Sequence, residues 1–196
     1  EKPSLRTHVS FDMGIAKLGG HALYLGQQNG KLGERERVRD YAKNLSCYAD
    51  AIVARVYSHS AIEELAKHAS VPVINALCDQ YHPCQALADF VTLQERFSDL
   101  SGLKLAYVGD GNNVSNSLML MAAILGVDFT LVCPAGFEPK QSMLVKANEL
   151  AEQAGSKMLI TSSIDELGGQ DVIYTDTWVS MGAENHKNEQ IFKKFA

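Results

Sequence analysis

Apolar residues recur along this chain with two periods, and the alternation between them predicts its elements. Val9, Met13 and Ala16 fall four and three residues apart, one face of a helix that Gly19-Gly20 would stop. Residues 21–25 (HALYL) read as a short buried strand, and residues 26–33 (GQQNGKLG) as a polar, glycine-rich loop too long for a tight turn. The charged run 34–37 reads as a solvated first turn of a helix carrying Val38, Tyr41, Ala42 and Leu45 on one face. Residues 51–57 are almost continuously apolar, as expected of a strand in a parallel sheet covered on both faces. A helix with Ile62, Leu65 and Ala66 follows, and then a strand over 71–75.

The pattern then repeats. Residues 75–85 connect a strand to a long helix bearing Ala86, Leu87, Phe90, Leu93 and Phe97, with Pro83 suited to its first turn. Strands over 103–108, 129–132, 158–160 and 172–175 alternate with helices over about 114–125 and 143–154. Strand–helix alternation implies an α/β fold: two similar parallel-sheet α/β domains, 1–90 and 91–196, joined by the long helix. Both chain ends read as cut, the first helix starting within a few residues of Glu1 and an amphipathic run stopping at Ala196.

Composition narrows the partners. The net charge of −5 argues against a nucleic-acid footprint or a polybasic membrane surface, so a small anionic ligand needs a local positive site. No apolar run reaches membrane-spanning length, and the start is not a signal peptide. Cys47, Cys78, Cys84 and Cys133 form no CxxC pair and read as reduced thiols of a cytoplasmic protein.

The candidate chemistry gathers at helix starts and strand ends. Ser4 sits at an N-cap position, with Arg6 and Thr7 in the first helical turn. Free backbone N–H groups and the positive end of the helix dipole favour an anion there, and two hydroxyls plus a guanidinium suit a phosphate. Arg55 interrupts its apolar strand near the carboxyl end and must meet a carboxylate, a ligand or solvent. His82 and Gln85 open the long helix, Asn113 follows a strand, and Asp176 and Ser180 leave another. Ligands of open α/β sheets bind at such edges, so these residues are expected to share one cleft.

Two other readings fail on spacing. Gly109-Asp110-Gly111 lacks the third glycine and the later acid of a dinucleotide fingerprint, so its glycines are expected to permit a tight turn that lets Asn112 or Asn113 face the cleft. His82 and Cys84, two apart at a helix start, do not face each other as a nucleophilic pair. The histidines show no HxxxH or HxH spacing, so no metal is expected.

EKPSLRTHVSF, ARVY, HPCQALADF, VGDGNN and TDTWVSMG together resemble, in order, the signatures of the aspartate/ornithine carbamoyltransferase family, most closely its ornithine-type members. The resemblance spans nearly the whole chain. It implies that Ser4, Leu5 (through its backbone), Arg6 and Thr7 hold the phosphate of carbamoyl phosphate. Arg55 and His82 would donate to the carbamoyl oxygen as the catalytic pair, and Gln85 would fix the carbamoyl amide. Asn113, Asp176, Ser180 and the backbone at Met181 would hold the α-amine and carboxylate of L-ornithine. The δ-amine attacks, phosphate leaves, and neither metal nor cofactor is required. The family's homotrimer implies that Lys31 reaches a neighbouring subunit's site.

The chain departs from the family pattern at Leu5, where a hydroxyl is lost, and at His8, where a second arginine is expected. The family's His-Cys-Leu-Pro segment would lie beyond Ala196, so the chain as it stands is expected to be weakly active or inactive. Another acceptor (acylated ornithine, aspartate or putrescine) and a non-catalytic homologue are the competing readings. The direction, toward arginine biosynthesis or the reverse, is open.

Overall fold

The computed structural model describes residues 1–26 and 31–177 and divides into two compact units, Glu1–Gln80 and Tyr81–Ala196. Both are parallel α/β structures.

The first unit contains helices α1 (Leu5–Lys17), α2 (Val38–Leu45) and α3 (His59–His68) and strands β1 (Ile52–Arg55) and β2 (Val73–Leu77). The two strands run parallel from Ile52↔Val73 to Arg55↔Leu77, with a register shift between Ala54 and Arg55. The shift comes from one extra residue in β2, Ala76, and it falls opposite Arg55, the last residue of β1. Ile52, Ala54, Ile62, Leu65, Ala76 and Leu77 are buried, as periodicity predicts, and α2 adds Val38 and Ala42. The charged run precedes α2 instead of forming its first turn: the helix starts at Val38, capped by Arg37.

Two expectations need correction. Helix α1 forms where predicted, yet it buries no residue, and Val9 and Met13 remain 49% and 53% exposed. Residues 21–25 form no strand. Leu23 is 79% exposed, and Tyr24 stacks on His8 with ring centroids 4.0 Å apart. An apolar run of five residues becomes a strand only if it joins a hydrogen-bonded ladder, and this one docks a ring on α1 instead.

The second unit contains α4 (Pro83–Phe97), β3 (Lys104–Val108), α5 (Asn113–Leu125), β4 (Asp128–Val132), α6 (Gln141–Ala154), β5 (Met158–Thr161) and β6 (Val172–Thr175), plus an unforeseen 3₁₀ turn over Ile164–Leu167. Its four parallel strands lie in the order β5-β4-β3-β6. The central strand β3 places Leu105, Ala106 and Tyr107 in the core, and α5 covers it with Leu118, Met119 and Ala122. Pro83 occupies the first turn of α4, where its missing N–H is no loss. No described helix is long and apolar enough to cross a membrane.

The Gly109–Gly111 turn joins β3 to α5, and packing explains its second glycine. The Gly111 N–H donates to the Phe137 carbonyl at 2.7 Å, and a Cβ on Gly111 would overlap the backbone nitrogen of Pro139. Backbone atoms cannot move aside as a flexible side chain can. Gly111→Ala is therefore expected to destabilise the second unit by about 1–3 kcal/mol. Thermal unfolding followed by circular dichroism measures this as a lowered midpoint relative to the unaltered chain.

Candidate functional site

In the first unit the N-terminus of α1 meets the end of β1. Ser4 caps α1: its Oγ accepts from the Thr7 N–H at 3.3 Å and donates to Thr7 Oγ1 at 3.0 Å. Arg55 Nη1 donates to the same Thr7 oxygen at 3.4 Å, and Arg55 Nε donates to the Lys2 carbonyl at 3.2 Å. Ser4, Thr7 and Arg55, predicted separately, are thus brought together. The first intrahelical bond runs from the His8 N–H to the Ser4 carbonyl, leaving the Leu5 and Arg6 N–H groups without an intrahelical partner. The Arg6 side chain is exposed and makes no ion pair among the described residues.

Electrostatics give this corner its character. Burial pulls the pKa of Arg55 below its ordinary value. The Lys2 pKa is lowered by burial and then by the neighbouring Arg55 charge. No carboxylate within ion-pair distance neutralises Lys2, Arg6 or Arg55 among the described residues. Two partly buried cations that repel each other, beside free N–H groups, are a receptor for an anion. Sequence reasoning assigned no role to Lys2, although it stands two residues before the cap Ser4.

Lys31, expected to reach a neighbour, pairs with Glu34 at 3.4 Å, both side chains being exposed. It borders a cavity of about 450 Å³ lined also by Arg35, Glu36 and Tyr41, and none of the other predicted site residues lines that cavity.

In the second unit His82 caps α4, and its backbone N–H donates to Ser117 Oγ at 2.7 Å. The same hydroxyl donates to the Asn113 carbonyl at 2.9 Å. Ser117, a buried residue the sequence did not flag, therefore ties the turn bearing His82 to the helix start bearing Asn113. The neighbouring Asn112 is occupied in capping: its Oδ1 accepts from the N–H groups of Val114 and Ser115, and its Nδ2 donates to Tyr107 and Asp110. Gln85 Nε2 donates to Asp89 Oδ1 at 2.9 Å, one turn along α4.

Asp176 follows β6 and lies half-buried. Its charge adds to the upward shift that burial imposes on Asp89 and on Asp110. Tyr107 and Tyr174 stack at 5.7 Å, and burial raises both phenols far above their usual range. Asp110 and Asp176 thus follow the ends of neighbouring strands, and no cation pairs with either among the described residues. This arrangement suits an ammonium group. Ser180 and Met181 lie outside the described residues.

Thiol chemistry finds no support, because burial pushes the Cys84 thiol up and holds it away from the thiolate. Among the described residues no group of three or more His, Cys, Asp or Glu is placed to hold a metal ion.

Comparison with known proteins adds independent findings. Residues 1–95 match the family model described as the carbamoyl-P binding domain of aspartate/ornithine carbamoyltransferase, and residues 101–196 match its Asp/Orn binding domain. The ornithine carbamoyltransferase of Shewanella oneidensis is 65% identical over 182 residues, 93% of this chain and 60% of the relative. That of Moritella abyssi is 60% identical over the same shares. Among solved structures, the ornithine carbamoyltransferase from Pyrococcus furiosus aligns with a TM-score of 0.93 and 47% identity, over 97% of this chain and 62% of that one. The chain spans about 60% of the length of these curated relatives.

Proposed function

The chain belongs to the aspartate/ornithine carbamoyltransferase family, and from that premise we propose that it serves carbamoyl transfer from carbamoyl phosphate to the δ-amine of L-ornithine, giving L-citrulline and phosphate. The observation that carries this reading is the uncompensated positive corner at Lys2, Thr7 and Arg55, set on a helix N-terminus. The names of relatives up to 65% identical support the same acceptor. The carbamoyl phosphate part is assigned to residues 1–90 and the ornithine part to 91–196. The setting is a cytoplasmic homotrimer in which Lys31 serves a neighbouring subunit.

In this mechanism the phosphate dianion takes the Leu5 and Arg6 N–H groups, the Ser4 and Thr7 hydroxyls and the Arg6 guanidinium. The Leu5 side chain offers no hydroxyl, so its contribution is its backbone. Arg55 and His82 donate to the carbamoyl oxygen, and Gln85 accepts from the carbamoyl NH₂. Asn113, Asp176, Ser180 and the Met181 backbone hold the α-amine and carboxylate of ornithine. The neutral δ-amine attacks the carbamoyl carbon, and the carbonyl electrons move onto oxygen beneath the Arg55 and His82 donors. The C–O bond to phosphate then breaks with the pair leaving on phosphate, which takes up the proton that the attacking nitrogen gives up. Bound orientation of two substrates and donors aimed at the developing oxyanion supply the acceleration.

The direct test assays the intact protein for the carbamoylated amine (citrulline in the case of ornithine) and for phosphate, with ornithine, acylated ornithine, aspartate and putrescine each offered as acceptor. Ornithine alone should give substantial product; activity with another amine instead would reassign the acceptor. Arg6→Ala should weaken carbamoyl phosphate binding about 10- to 100-fold by calorimetry, because a charge-assisted contact disappears. Asp176→Asn should raise the KM for ornithine far more than the KM for carbamoyl phosphate, and steady-state kinetics with each substrate varied in turn would reveal it.

A further inference from the structure

Asp89 takes no part in the mechanism above, yet it touches the one residue expected to read the carbamoyl nitrogen. Gln85 and Asp89 stand four apart on α4, so they share a face. Their contact has a defined sense: Gln85 Nε2 donates to Asp89 Oδ1 at 2.9 Å. An ionised carboxylate only accepts hydrogen bonds, whereas an amide both donates and accepts. Asp89 therefore binds the NH₂ end of Gln85 and turns its carbonyl oxygen the other way. An amide without that constraint can flip and present either end.

Tyr174 lies close to the carboxylate and stacks on buried Tyr107. The parallel pairing of β3 with β6 sets Tyr107 beside Tyr174, so the surroundings of Asp89 belong to the sheet of the second unit. Burial, and less so the charge of Asp176, raise the Asp89 pKa, while the hydrogen bond from Gln85 opposes the rise. That donor favours the ionised form, which is the form that orients the amide.

We propose that Asp89 is a positioning residue that locks the Gln85 amide with its carbonyl oxygen outward, making the donor site selective for an acyl phosphate that carries an NH₂ group. The inference rests on the carbamoyl phosphate reading above and adds the source of donor selectivity. Acetyl phosphate is the fitting probe, since it replaces the carbamoyl NH₂ with a methyl group and keeps the phosphate and carbonyl. A fixed acceptor oxygen rewards the first compound and not the second.

The experiment measures two quantities in the intact protein: kcat/KM for carbamoyl phosphate in citrulline formation, and the inhibition constant of acetyl phosphate as a competitor. Asp89→Asn keeps the shape but lets the amide pair turn over, since asparagine can donate to the Gln85 oxygen. Discrimination between the two compounds should fall about tenfold, with acetyl phosphate inhibition unchanged. In a Gln85→Ala background the same Asp89→Asn change should leave discrimination unmoved. Equal losses for both compounds, or an unchanged discrimination in Asp89→Asn, would show a purely structural residue and overturn the inference alone. The same tenfold fall in the Gln85→Ala background would also overturn it. An unaltered protein that makes no citrulline and binds neither compound would overturn the functional reading and this inference together.

Discussion

Charge taken partly out of water, with no counter-ion among the described residues, is the constraint on which this molecule turns. In the first unit Lys2 and Arg55 are partly buried beside each other, and burial together with mutual repulsion lowers the Lys2 pKa. In the second, Asp110 and Asp176 follow neighbouring strands, and Asp110 is shifted upward by burial and, to a lesser degree, by Asp176. A chain folding for stability alone would pair or expose such groups, because unpaired buried charge costs free energy. Retaining opposite imbalances in two units is intelligible if each is completed by a ligand: a dianion at the first and an ammonium at the second.

Parallel α/β architecture makes these imbalances possible at modest cost. Each strand is followed by a helix, so strand ends and helix starts accumulate at one edge, and backbone polarity is left unsatisfied there by necessity. Ser4 is an N-cap as well as a candidate ligand, and Arg55 is the end of a strand as well as a candidate donor. Ser117 and Asp89 show the supporting layer at work. One hydroxyl links the His82 turn to the Asn113 helix start, and one carboxylate fixes the amide of Gln85. Orientation of this kind is what catalysis without cofactor chemistry requires, since effective concentration depends on holding reacting groups within narrow limits.

The element order was legible because its signals were local. Apolar runs between polar stretches marked β1 to β6, and Pro83 and Ser4 marked helix starts within a residue. The errors came where a neighbour decides the outcome. Residues 21–25 have strand-like composition but find no ladder, and the α1 periodicity does not report that its apolar face stays exposed in this unit. At the candidate site, residues whose own chemistry suits a substrate stood out by type and position. Those that position them did not. The placing of Tyr174 beside Tyr107 depends on cross-strand registry, which no local pattern reveals. Asp89 alone left a trace, four residues after Gln85 within HPCQALADF.

The claim that the positive corner at Lys2 and Arg55 awaits a phosphate and the carboxylates at Asp110 and Asp176 an ammonium is most directly tested by a crystal structure of the intact protein with a bisubstrate phosphonate analogue of carbamoyl phosphate and ornithine. The account predicts the phosphonate on the Leu5 and Arg6 N–H groups, Thr7 and Arg6, the carbonyl oxygen facing Arg55 and His82, and the α-ammonium on Asp176. A bound analogue that leaves Arg6 and Arg55 free of the phosphonate, or Asp176 free of the ammonium, would contradict it.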